Sequence, residues 1–176
     1  TTSQWGFDRA REELGGENFD SLLTDCTYRP FDTRWTAFHR GVVTILRKEL
    51  MRHMFRQENY ALLATRGISR QDYAHIFVVD NIVDRHALDN ASESMFVFPL
   101  FIFPDSSVEE SQKELFGGDQ SELNISPVFL GQILSLLEGR QLVPTDIFGL
   151  IYAVLHSPAY RSRYAGFLLN EFPRVG

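Results

Sequence analysis

The run Met95-Phe96-Val97-Phe98-Pro99-Leu100-Phe101-Ile102-Phe103 decides the fold class. Its β-branched and aromatic content favours a strand over a helix. Two stretches of strand length precede it, residues 59–65 with Tyr60, Leu62 and Leu63, and residues 75–82 with Ile76, Phe77, Val78 and Val79. Further upstream, residues 24–39 are again aromatic and β-branched, and Pro30 marks a bend or a strand edge. Downstream the period changes. Residues 127–137 and 145–156 repeat apolar side chains at helical spacing, Ser157-Pro158 interrupts, and residues 159–170 resume as a helix. The expectation is an α+β domain with a strand-rich N-terminal two-thirds, a short basic helix over residues 46–55, and a helical C-terminal third. Residues 104–124, acidic and serine-bearing with Gly117-Gly118, read as an exposed loop.

The 176 residues fit one domain, and 44% hydrophobic content with 15 Phe is enough to build a core. No apolar run reaches the ~20 residues needed to span a bilayer, so no membrane partner is expected. The lone Cys26 excludes an intrachain disulfide and a thiolate zinc cluster, which suits the cytoplasm. Thr1 at one end and Phe172-Pro173-Arg174-Val175-Gly176 at the other read as the cuts of an excised domain. Residues 1–23 read as a linker or helix from an upstream region, and residues 24–176 as the domain itself.

A net charge of −6 argues at first against a nucleic-acid partner, because phosphate contacts need cations. The average hides an asymmetry. Residues 29–70 carry nine basic and three acidic side chains, whereas residues 71–126 carry two and eleven. A basic face on an acidic body is what a DNA-facing surface requires, although a solvated basic surface gives the same count.

Recognisable reacting constellations are missing. There is no phosphate loop ending in Lys-Ser/Thr, no Gly-x-Gly-x-x-Gly, no Gly-x-Ser-x-Gly, and no Asn/Asp-Pro-Pro-Tyr/Phe run. Pro104-Asp105 with Lys113 approaches a metal-dependent nuclease pattern, but Ser111 stands where an acid is needed. His39, His53, His75, His86 and His156 show no metal-ligand spacing, and Asp80 and Asp84 read as strand-end and turn residues. No catalytic residue, metal site or cofactor is expected in this chain.

Three stretches carry a resemblance: Tyr28-Arg29-Pro30-Phe31-Asp32-Thr33-Arg34-Trp35; Met51-Arg52-His53-Met54 with Asn59-Tyr60-Ala61-Leu62 and Arg66; and Ile151-Tyr152-Ala153-Val154-Leu155-His156-Ser157-Pro158-Ala159-Tyr160-Arg161 with Phe172-Pro173-Arg174. Together they resemble the C-terminal specificity region of single-polypeptide type I (type ISP) restriction–modification enzymes and related large adenine-N6 DNA methyltransferases. The resemblance runs from about residue 24 to the end. It implies a target-recognition domain that binds double-stranded DNA beside an upstream methyltransferase of the same polypeptide. S-adenosylmethionine, ATP and Mg²⁺ would then serve that parent enzyme.

In that role Arg29, Arg34, Arg40, Arg47, Lys48, Arg52 and Arg56 are phosphate candidates, although Arg29 and Arg34 flank Asp32 and could pair with it. Arg66, Ser69, Arg70, Gln71 and Asp72 are base candidates, since Arg suits guanine, Gln adenine and Asp a cytosine amine. Asp84-Arg85-His86 is a weaker second candidate. The aromatic helical pair around Tyr152 and Tyr160 reads as scaffold or interface. The rival to a sequence reader is a structural coupler joining translocase and methyltransferase without reading bases.

Overall fold

β3 (Ala61–Thr65) is buried along its whole length, and both faces of the strand are covered. Alternation sends Ala61 and Leu63 into one core and Leu62 and Ala64 into another. A continuous apolar run is therefore the sequence that this strand requires. In this computed structural model, residues 6–16, 18–43, 45–66, 76–88, 95–104, 121–137 and 141–175 are described.

Antiparallel neighbours flank β3, with β4 (Ile76–Val79) on one side and β6 (Met95–Pro99) on the other, in register Leu63↔Phe77 and Leu63↔Val97. A second sheet runs β2-β1-β5, from β1 (Leu23–Arg29), β2 (Asp32–Ala37) and β5 (Ile82–Val83). β5 lies parallel to β1, so the chain passes from one sheet to the other at Asp80-Asn81. Asn81 fixes that crossing: its Oδ1 accepts from the Thr27 amide at 3.1 Å and the Thr27 hydroxyl at 2.7 Å. The expected strand over residues 75–82 is thus two short strands in different sheets. Residues 95–103 likewise split at Leu100 into β6 and β7 (Phe101–Ile102), which pairs with β8 (Glu122–Leu123).

The first core fills the space between the sheets with Phe38, Met51, Met54, Leu63, Val83 and Val97. The second lies between β3–β4 and the C-terminal helices, where Leu155 and Leu168 pack on Leu62, Ala64 and Ile76. Those helices are α5 (Pro144–His156), α6 (Pro158–Arg163) and α7 (Ala165–Leu168), preceded by α4 (Pro127–Leu136). Asp146 accepts from the Val143 amide at 3.1 Å and so starts α5 one residue earlier than the sequence suggests. Arg161 donates to His156 Nδ1 at 3.0 Å, which leaves Nε2–H to donate to the Ile76 carbonyl at 3.3 Å. The long motif over residues 151–161 therefore clamps α5 to β4.

Near the N-terminus, α1 (Phe7–Leu14) buries Ala10, and α2 (Phe19–Leu22) leads into β1. The basic helix expected over residues 46–55 is only α3 (Lys48–Met51), followed by turns. Met51, His53 and Met54 are all buried. Past Met51 the His53 amide donates to the Leu50 carbonyl and the Met54 amide to the Met51 carbonyl, three-residue turns that replace the expected helix. His53 Nδ1 then accepts from the Phe103 amide at 3.0 Å.

Asn59 joins these parts. It is 4% exposed; its amide donates to the His53 and Phe101 carbonyls, both at 2.9 Å, and its Oδ1 accepts from the Phe101 amide at 3.1 Å. Its Oδ1 also accepts from the Tyr60 amide at 2.9 Å, so Asn59→Ala removes the side-chain partner of four backbone groups and is expected to cost about 2–4 kcal/mol in urea unfolding. Burial and the nearby Arg52 hold the His53 pKa below its ordinary 6.5. The unfolded chain therefore binds this proton first, and His53 contributes stability above about pH 6.5 that is lost as pH falls through its folded pKa. Unfolding curves between pH 5 and 7.5 are expected to show that slope, and His53→Asn is expected to flatten it.

Candidate nucleic-acid interface

Along β1 and β2 the side chains alternate, so Cys26, Tyr28, Arg34 and Thr36 share one face of the hairpin. That face forms one wall of a cavity of about 460 Å³. Leu46 and its neighbours form a second wall, and Asp84, Arg85 and His86, just after β5, form a third. Two guanidiniums lie against the Tyr28 ring, Arg29 at 4.1 Å and Arg34 at 3.9 Å from its centroid.

Carboxylates order these cations. Arg34 grips Asp32 through Nε at 3.2 Å and Nη2 at 2.8 Å, and this bond holds the Asp32 carboxyl below its ordinary range. Arg29 pairs with Asp84 at 3.2 Å rather than with Asp32. Asp84 also accepts from the His86 amide at 2.9 Å, which shapes the turn that carries Arg85. Arg47, in the left-handed region at φ 45°, is half-buried, and its Nη2 has no hydrogen-bond partner. Burial, then repulsion from Arg85, pushes its pKa below the ordinary arginine value.

The remaining phosphate candidates are held elsewhere. Arg40 pairs with Glu13 of α1 at 3.4 Å. Arg52 donates to the Phe103 carbonyl at 2.7 Å, and Arg56 to the Asp20 carbonyl at 2.6 Å. Lys48 is exposed at the start of α3. Of the base candidates, Arg66 follows β3, is largely exposed, and lies 4.0 Å from Glu171. Ser69, Arg70, Gln71 and Asp72 lie outside the described residues, as does Asp105.

Sequence reasoning singled out Arg29 and Arg34 but not their contacts with the Tyr28 ring, nor the exposed Phe31 and Trp35 on the same hairpin. A signal for Phe31 was present: Pro30 is followed by a bulky aromatic where a tight turn favours Gly or Asn. Among the described residues, no cluster of three or more His, Cys, Asp or Glu is placed to hold a metal ion. No helix among them is long and apolar enough to cross a membrane.

The geometry is that of an α+β module with a cleft, lined by arginine and aromatic side chains, beside a hairpin. Residues 2–176 match the type ISP C-terminal specificity domain, and the chain belongs to that family. The match takes in residues 2–23, where the sequence motifs had carried no resemblance. Three solved structures share the fold. A cryo-EM DrdV–DNA complex is 19% identical with a TM-score of 0.68, covering 99% of this chain and 16% of that one. A nuclease-deletion mutant of the type ISP restriction–modification enzyme LlaGI, in complex with a DNA substrate mimic, is 23% identical with a TM-score of 0.59, covering 88% and 12%. The ATP-dependent type ISP restriction–modification enzyme LlaBIII, bound to DNA, is 15% identical with a TM-score of 0.61, covering 96% and 12%. The chain thus spans 12–16% of the length of those proteins. No protein of curated function matches it in sequence.

Burial, with Asp84 second, pushes the Cys26 thiol in the cleft up to about 11. At pH 8 little thiolate forms, so alkylation by iodoacetamide is expected to be on the order of a hundredfold slower than for an unstructured cysteine. Urea should restore the ordinary rate.

Proposed function

We propose that this chain is the DNA sequence-reading module of a restriction–modification enzyme. In this reading it docks on double-stranded DNA and positions an upstream adenine-N6 methyltransferase, with its motor and nuclease, on the recognised site. The family membership carries the reading, and the cationic cleft gives it a physical basis. Phosphate contacts set register on the duplex, and separate polar side chains at base edges supply sequence. Arg29, Arg34 and Arg47 at the cleft, with exposed Lys48 and Arg85, take the phosphate role. Arg66 and the stretch Ser69, Arg70, Gln71 and Asp72 take the base role. The chain performs no chemistry of its own in this scheme. S-adenosylmethionine, ATP and Mg²⁺ belong to the rest of the polypeptide.

A second reading, a coupler that joins motor and methyltransferase without reading bases, draws support from α4. That helix contains no charged residue and leaves Val128, Leu134 and Leu136 exposed. Selection from random duplexes at low salt and again near 150 mM separates the two. A reader is expected to enrich one asymmetric motif that survives the added salt, with Arg66→Ala, Arg70→Ala or Gln71→Ala relaxing individual positions. Lys48→Glu with Arg85→Glu is expected to weaken binding at least tenfold, because each lost phosphate contact removes about 0.9 from the slope of log K against log salt. A coupler would enrich no motif, and the charge reversal would leave its DNA affinity unchanged.

A further inference from the structure

We infer that Phe31 is a wedge that enters the base stack of the bound duplex and parts one base step. This inference rests on the DNA-reading role proposed above. Pro30 and Phe31 form the two-residue turn closing β1 and β2, whose arms end at the Arg29↔Asp32 pair. Pro presets the first turn position, and the second requires a positive φ, where Gly or Asn is favoured. Phe31 occupies that position at φ 64° and is 94% exposed. The residue type is unfavourable twice over, since a left-handed backbone strains a bulky side chain and water surrounds its ring. Within the fold the ring meets Phe77 edge-on, with centroids 5.2 Å apart, a contact that braces it without covering it.

The surroundings select DNA as the occupant. Asp32 and Asp84 are held by Arg34 and Arg29, whose guanidiniums both lie against the Tyr28 ring. The hairpin thus presents one apolar ring at its point and two guanidiniums, each paired with one carboxylate, beside the turn. Proteins that part base steps combine an apolar side chain between bases with cations on the adjoining phosphates. A protein-docking site would instead need a contiguous apolar patch, whereas along the hairpin Phe31 is bordered by Pro30, Asp32 and the exposed Thr33 and Arg34, with Phe77 the apolar ring it touches.

The test uses the full-length polypeptide and duplexes recovered by selection, with 2-aminopurine placed at each position in turn to report unstacking. The unaltered protein is expected to unstack at least one step in a manner dependent on Phe31. Phe31→Ala is expected to abolish that signal and weaken binding about tenfold or more, as loss of a base-stacking aromatic does. Phe31→Leu should retain part of both. Phe31→Asn suits the turn, so its melting temperature is expected to be unchanged or higher while the unstacking is lost, which separates a DNA role from a folding role. Equal affinity and an equal 2-aminopurine pattern for Phe31→Ala would overturn the wedge alone. So would a defect confined to how the domain associates with the rest of the polypeptide, read by limited proteolysis. Failure of the unaltered protein to bind any duplex would remove the reader and the wedge together.

Discussion

The two-sided burial of β3 is the constraint on which the rest of this molecule depends. A strand covered on both faces needs a sheet partner layer on one side and a helical layer on the other. The β1–β2–β5 sheet supplies the first and α5 to α7 the second. Truncating a side chain such as Leu63 would open a cavity at the centre of the stack, a change that typically costs about 2–5 kcal/mol. The candidate DNA-facing surface proposed above lies away from β3, on a hairpin and a turn that the core fixes by their ends. Charge and exposed aromatics can therefore vary there with little effect on packing.

Electrostatics in the cleft follow a consistent pattern. Positive groups outnumber acids along residues 29–70, yet most are tied to a carboxylate or a carbonyl. Such exposed pairs contribute little to stability. Their effect is geometric, since Asp32 and Asp84 fix the direction in which Arg34 and Arg29 point. An ordered guanidinium loses less freedom when it meets an anion, and such preorganisation lowers the cost of binding. Arg47 completes the set as a half-buried cation whose Nη2 has no hydrogen-bond partner.

Much of this was legible in the sequence, and the parts that were not have physical causes. The apolar runs around Leu63 and Val97 announced strands, and the family motifs announced the specificity domain. The periodicity over residues 46–55 misled, because the turns after Met51 go with a bond to His53 from the Phe103 amide, 50 residues away in sequence. The split of residues 75–82 depended on the bond between Asn81 and Thr27, which are 54 residues apart. The pairing of Arg29 with Asp84 was hidden for the same reason, because local spacing pointed to Asp32. The tie between residue 59 and residue 101 is another long-range contact that no window of sequence contains.

The crossing at Asp80-Asn81 also constrains the order in which the molecule can assemble. β1 and β2 form early in the chain, but the third strand of their sheet arrives only with Ile82 and Val83, on the far side of β3 and β4. Until β4 has turned into β5, one edge of β1 has no strand beside it, and an open edge invites pairing with another chain. Parallel pairing across so long a separation is slow, because the loop must close before any contact rewards it. During synthesis the hairpin that bears Phe31 therefore waits for the central sheet, and its exposed edge is the place where premature association between nascent chains would begin.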